Sequence, residues 1–160
     1  MSKIVYKIAD LFAGVQKEVD QGNFVLIPHI CNDIGAWGAG FVVPLGKAYP
    51  LAKERYQAAG ASVMLGETIF ADAGSVKVAN MVAQHKLGGK AIRYEALVKC
   101  MRTVRDRVDL RYQIHAPLFG AGLAGGNWDF IEALIDEIWG AYQVTIWQLQ
   151  GQELRPETGD

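Results

Sequence analysis

The residues best suited to chemistry in this chain gather around two glycine-rich turns. CNDIGAWGAGF occupies positions 31 to 41 and LFGAGLAGGNW positions 118 to 128; each follows an apolar, strand-like run and leads into a helix-like segment. Two helix N-termini and two stretches of bare backbone amide directed at one ligand are what a diphosphate requires. His29 stands two residues before the first turn, at the end of an apolar strand. An imidazole there is placed to act as acid or base on a phosphate or ribose held by the turn, and a hydrogen-bonded core histidine is the other reading. Asn32, inside the turn, either holds a sugar hydroxyl with its amide or supports the turn itself. Asp10, in ADLF, caps a helix, and its carboxylate could also accept the exocyclic amine of an adenine. Trp37 is either an exposed lid over the site or a packed anchor for its loop. Gln84, His85 and Lys86 end a strand on the same edge and so can approach the ligand, although a solvated loop also accounts for Lys86.

The glycines exclude as much as they suggest. Gly120, Gly122 and Gly125 satisfy GxGxxG between a strand and a helix, the dinucleotide fingerprint. A Rossmann unit also needs an acidic residue about twenty positions on, at the end of the next strand, and a second nucleotide-binding half. Here that strand ends in Gln148, Leu149 and Gln150, and too little chain follows for a second half. Neither turn carries the Gly-Lys-Ser/Thr of a P-loop, which leaves triphosphate hydrolysis unsupported.

The elements that must position these residues can be read from periodicity. KIVYKI at 3 to 8 alternates as a strand does, and after Asp10 the residues Leu11, Val15 and Val19 recur at helical spacing. FVLIPHI at 24 to 30 is a strand covered on both faces, and the stretch from about 39 to 58 is helical with an interruption at Pro44 or Pro50. GETIFA and VKVANMVAQ flank Asp72, Ala73, Gly74 and Ser75 as a hairpin, which makes the sheet mixed. A helix over 91 to 108 buries Leu97, Met101, Val104 and Val108. YQIHAPLF is the strand before the second turn, Asn127 caps a helix lined by Ile131, Leu134, Ile135 and Ile138, and YQVTIWQL closes the sheet. The order βα, βα, ββ, α, β, α, β calls for helices on both faces of a central sheet, with ligands beyond the strands' carboxyl ends.

Composition sets the outer bounds. The 160 residues, 51% of them hydrophobic, suit one domain over 1–150, with a flexible polar tail at 151–160. Sixteen basic and seventeen acidic residues give no reason to expect duplex nucleic acid or an anionic membrane as partner. Cys31 and Cys100 form no CxxC pair, which argues against a zinc site or a disulfide framework; no cluster calls for a metal, and no cofactor is expected. The N-terminal MSKIVYKIADLF lacks the apolar run and cleavage site of an export signal, so a cytoplasmic setting is the expectation.

KIADLF, HICNDIGAWGAGF, VANMVAQ and HAPLFGAGLAGGNW, in this order, resemble the macrodomain family, modules that bind ADP-ribose. The resemblance spans about residues 3 to 149, and HICN followed by GAWGAG and KAYP is most similar to the small ADP-ribose-1″-phosphate phosphatases and the neighbouring terminal ADP-ribose protein glycohydrolases. It implies a three-layer α/β/α sandwich around a six-stranded mixed sheet. It also implies Asp10 and Leu11 at the adenine, with Trp147 and Leu149 nearby, and Asn32, Gly38, Ala39, Gly40 and Phe41 around the distal ribose. Gln84 lies at the same edge, and Gly120, Ala121, Gly122, Leu123, Ala124 and Gly125 surround the diphosphate. In the glycohydrolases a lysine nucleophile works with an aspartate just after the GxGL turn; that position is Ala124 here, which argues against the covalent lysine mechanism. Phe41-Val42 likewise replaces the Val-Asp pair of the deacetylase-like branch. The implied activity is hydrolysis of an ADP-ribose derivative at the distal ribose, as a phosphatase or ADP-ribosyl hydrolase, with His29 as acid or base and Asn32 orienting the ribose. The alternative is a non-catalytic reader or scavenger of free or macromolecule-linked ADP-ribose.

Overall fold

The computed structural model describes residues 3–122 and 124–159; Leu123, one of the residues expected at the diphosphate, lies outside the described residues. The chain runs β1 (Val5–Ile8), α1 (Leu11–Asp20), β2 (Phe24–Asn32), α2 (Val42–Ala48), α3 (Pro50–Ala58), β3 (Thr68–Ala73), β4 (Val76–Gln84), α4 (Tyr94–Arg107), β5 (Tyr112–Ala116), α5 (Trp128–Ile138) and β6 (Val144–Gln148). The strands form one six-stranded sheet in the order β1-β6-β5-β2-β4-β3. All neighbours are parallel except the β3–β4 hairpin, so the sheet is mixed.

Successive residues of a strand point to opposite faces, and β2 uses both. Leu26 joins the cluster under α4 and α5, with Met81, Met101, Ile114, Ile131, Ile135 and Trp139. Val25 and Ile27 turn the other way, onto Leu11 and Val15 of α1, Leu45 of α2 and Ala52 of α3. Burial on both faces is why β2 reads as an unbroken apolar run, and the result is an α/β/α sandwich. None of the helices among the described residues is long and apolar enough to cross a membrane.

Several boundaries differ from expectation for local reasons. The interruption in the helical stretch falls at Tyr49 (φ −134°, ψ 77°), because the residue before Pro50 is driven out of helical geometry. Pro44 lies in the first turn of α2, where no intrahelical amide bond is lost. Helix α4 begins at Tyr94 rather than 91 because Ile92 is committed elsewhere: it bridges to Gln84, and its amide donates to Ala124 O at 3.2 Å. Strand β5 stops at Ala116, before Pro117.

The polar tail, expected to be flexible, makes specific bonds. Gln148, 1% exposed, accepts from the amides of Leu154 and Arg155 (2.8 and 3.0 Å) and donates to Arg155 O. Farther on, the Thr158 amide donates to Tyr6 O, while Thr158 Oγ1 and a Glu157 carboxylate oxygen accept from the amides of Tyr6 and Ile8. Arg155 pairs with Glu132 and Asp129 of α5. The tail therefore satisfies the open edge of β1, which otherwise presents unpaired backbone groups. Polar composition indicated solvation, but these polar groups find backbone partners instead.

At the opposite layer, Gly14 of α1 admits the Trp147 ring so closely that a Cβ there would lie 2.3 Å from it. Gly14→Ala should gain up to about 1 kcal/mol of helix propensity and lose about 1–3 kcal/mol to overpacking. A net fall in thermal or denaturant stability is expected; a rise would mean that the ring has a second place to go.

Candidate functional site

Both glycine turns leave the carboxyl end of the parallel strands, the first after β2 and the second after β5, which are neighbours in the sheet. The first turn is built on Asn32. Its Oδ1 accepts from the amides of Ile34 (3.1 Å) and Ala36 (3.0 Å) and from the Tyr56 hydroxyl (2.9 Å), and its Nδ2 donates to Ala36 O at 2.8 Å. Tyr56 Oη also donates to Asn32 O at 2.5 Å. At 8% exposure with this set of partners, Asn32 takes the second of its two readings, support of the turn. Its side-chain amide is engaged with the backbone of the turn.

His29 is buried as well. It is 2% exposed, with Nε2 2.5 Å from Asn80 Oδ1. Asn80 Nδ2 donates to Ala52 O, which fixes the orientation of the amide, so Nε2 must be the protonated nitrogen. Trp37 stands edge-on to the imidazole with centroids 5.6 Å apart, and Phe41 lies at 5.8 Å. Burial pushes the His29 pKa down to about 4, opposed by the Asn80 hydrogen bond. Its contacts are those of a hydrogen-bonded core histidine. Trp37 is the packed anchor: a Cβ on Gly46 would lie 2.9 Å from its Nε1, and its ring also packs on Tyr56.

What the first turn offers is backbone. Among the described residues, the amides of Gly38, Ala39 and Gly40 find no protein acceptor. Gly40 takes φ +78°, a conformation that suits glycine, immediately before Phe41 enters α2. Phe41 stacks on Phe12 of α1 at 5.5 Å and 19°, which ties the turn to the start of α1. There Asp10 caps the helix through the amides of Phe12 and Ala13, both at 3.3 Å. These bonds are long, and the carboxylate is exposed, so it keeps accepting capacity for a second partner. Leu11 is buried at 5%, and Leu149 just past β6 is 62% exposed.

The second turn is tighter. Gly120 (φ +81°) and Gly125 (φ +74°) allow Gly126 N to reach Gly120 O at 2.7 Å, and Gly125 N bonds Gly122 O. Ala121 N is spent on Leu118 O, whereas the amides of Gly120, Gly122 and Ala124 have no protein acceptor among the described residues. A Cβ on Gly125 would lie 2.8 Å from the Lys90 amide nitrogen, so the turn packs directly on the chain between β4 and α4.

That chain links the two turns, and it holds a feature that no local pattern announced. Pairing of β2 with β4 slips after Cys31, so Asn32 stands opposite Gln84 and Ala83 is passed over. Asp33 N then donates to Gln84 O at 3.0 Å, which brings Asp33 alongside His85. Asp33 Oδ2 is 2.7 Å from His85 Nδ1, and Oδ1 accepts from the Lys86 amide at 2.7 Å. Partial burial raises the Asp33 pKa, but the Lys86 amide and His85 outweigh it and hold the carboxyl below its ordinary value. Lys86 has φ +56°, strained for a side chain that is not glycine, and Gln84 Nε2 is occupied by Lys86 O. Asp33 was missed in the sequence because the partners are 52 residues apart. A cavity of about 530 Å³ opens beside the pair, lined by Asp33, Ile34, Gly35, Gln57 and Gly60.

Two buried histidines give the domain a pH signature. His115, like His29, is pushed by burial to about 4. The unfolded chain titrates these groups near 6.5, so between about 6.5 and 4 it binds protons that the folded chain refuses. Stability should therefore be fully expressed above that window and decline as pH falls through it. Denaturant melts at stepped pH test this, and a His29→Asn variant should show a shallower decline; an unchanged slope would contradict the burial of a neutral His29.

No family model matches the sequence. A protein of Enterobacteria phage T4, an uncharacterized 17.5 kDa protein of the tk-vs intergenic region, is 30% identical over 120 residues, 69% of this chain and 77% of that one. Among solved structures, a protein of unknown function from Bacteroides thetaiotaomicron is 34% identical with a TM-score of 0.81, covering 92% of this chain and 99% of its own. The Thermosipho africanus DarTG protein, solved in complex with ADP-ribose, shares the fold at 12% identity and a TM-score of 0.75, over 95% of this chain and 43% of that one. A macrodomain protein from Streptomyces coelicolor is 34% identical with a TM-score of 0.74, over 90% of this chain and 97% of that one. With that identity and the shared fold across nearly the whole of both chains, this chain belongs to the macrodomain family.

Proposed function

We propose that the chain binds ADP-ribose and hydrolyses a derivative substituted at its distal ribose, such as an ADP-ribosyl group on a protein. The single observation that carries the binding reading is the pair of turns with unspent amides on the neighbouring strands β2 and β5. Amides at a helix start stabilise a diphosphate without lysine or arginine. In this arrangement the diphosphate lies along the 118–125 turn and the distal ribose along the 32–42 turn. The adenine lies between the Asp10 carboxylate, which accepts its amine, and the exposed Leu149 side chain, which covers its face. The family's known ligand supports the same assignment.

A second reading, a reader that holds ADP-ribose without turning it over, is favoured by Ala124, which puts a methyl group where a carboxylate would serve catalysis, and by the burial of His29.

Phosphorus NMR of the protein mixed with ADP-ribose-1″-phosphate separates these readings. Shifted diphosphate lines are expected in either case, and their absence would overturn ADP-ribose binding altogether. Release of inorganic phosphate would establish a phosphatase, while shifted lines without release leave hydrolysis of an ADP-ribosyl ester or pure binding.

A further inference from the structure

The Asp33 and His85 pair reaches solvent at this edge while being held by fixed partners. Side-chain exposure is 43% for His85 and 15% for Asp33. An ionised carboxylate only accepts hydrogen bonds, so the imidazole nitrogen facing it, Nδ1, carries the proton. In the neutral imidazole Nε2 is then the nitrogen with the lone pair, and among the described residues it has no partner. Asp33 cannot swing away easily, because its other oxygen is bonded to the Lys86 amide and its own amide to Gln84 O. A carboxylate that orients an imidazole through Nδ1 and leaves Nε2 free is the arrangement of a general base.

Its position fits that role. His85 begins the segment that runs from the first turn, at Asp33, to the second turn, where Ile92 bonds Ala124 O and Lys90 abuts Gly125. A ligand spanning both turns therefore passes this segment. The cavity that Asp33 shares with Gln57 and Gly60 adds room beside the pair for whatever the ribose is attached to.

Resting on the reading that the site takes ADP-ribose derivatives, we propose that His85, oriented by Asp33, is the catalytic base that activates water for cleavage of an ADP-ribosyl ester of a carboxylate side chain. Nε2 removes a proton from water as the water oxygen bonds to C1″ of the distal ribose. The bond from C1″ to the ester oxygen breaks, and its electron pair leaves with the carboxylate, a stable anion that needs no acid. ADP-ribose, a free carboxylate and a proton on Nε2, later lost to solvent, balance the step. His85 is the catalytic residue and Asp33 a positioning residue.

The experiment uses the full chain, a peptide mono-ADP-ribosylated on glutamate as substrate, and ADP-ribose alone for calorimetric binding. Wild type should release ADP-ribose from the peptide. His85→Ala should lower kcat by about 10²-fold or more, the usual weight of a general base, with ADP-ribose affinity within about threefold, an allowance below the roughly fivefold that marks even a weak coupling. Added imidazole should restore part of the lost rate, which a merely structural role would not allow. Asp33→Asn, which keeps an acceptor for the Lys86 amide, should lower kcat with little change in KM. Turnover that survives His85→Ala would overturn the proposal, as would a wild type that binds ADP-ribose and leaves the peptide intact; the function as an ADP-ribose binder would stand in both cases. A wild type that fails to bind ADP-ribose would overturn the functional reading, and this proposal with it.

Discussion

The side-chain oxygen of Asn32 gathers three donors at the end of β2, the amides of Ile34 and Ala36 and the hydroxyl of Tyr56, and the site inherits its geometry from that point. Once the chain is bent there, Trp37 falls onto His29 and Tyr56, and Gly38 to Gly40 run on toward α2 with amides that have no protein acceptor among the described residues. Tyr56 comes from α3, so the helix layer is what holds the turn in place. A buried hydroxyl that serves both the carbonyl and the side chain of one residue is costly to lose, because two acceptors would be left with one fewer donor. The glycines supply reach, and the rigidity comes from polar groups outside the glycine pattern.

That division of labour explains how a chain of net charge −1 can suit a doubly charged ligand. A salt bridge to a diphosphate would require cations at the strand ends and would weaken with ionic strength. Amides at the two turns carry fixed partial charges already oriented by the fold, so little side-chain entropy is lost when a ligand arrives. Gly125 packed against the Lys90 backbone, and Gly126 N bonded to Gly120 O, hold the shape of the second turn.

Much of the architecture was legible because it rests on periodicity and on local chemistry. The alternation in β1, the spacing of Leu11 and Val15, the cap at Asn127 and the hairpin at Gly74 are contained within a few residues each. The misread parts all depend on distant partners. Residues 91 to 93 were expected to be helical but are taken by Gln84, Ala124 and Ala83. The tail looked loose until Gln148 and the edge of β1 supplied its bonds. Asp33 and His85 meet only because the β2–β4 register slips at Ala83, and nothing in the local sequence signals such a slip.

The histidines show why residue type and position near a turn were not sufficient. His29 lies inside a central strand, short of its carboxyl end, yet Trp37 and Phe41 pack on it and Asn80 Oδ1 accepts the hydrogen bond from its Nε2–H. His85 lies one residue beyond a strand and next to a carboxylate, with one face open. The first therefore contributes by staying neutral and filling space beneath the turn; protonating it would put an unpaired charge in the core. The second reaches solvent beside its carboxylate partner. Strand β2 delivers His29 inward and Asp33 outward within five residues, so a single strand end supplies both the packing under the turn and the acid group beside it.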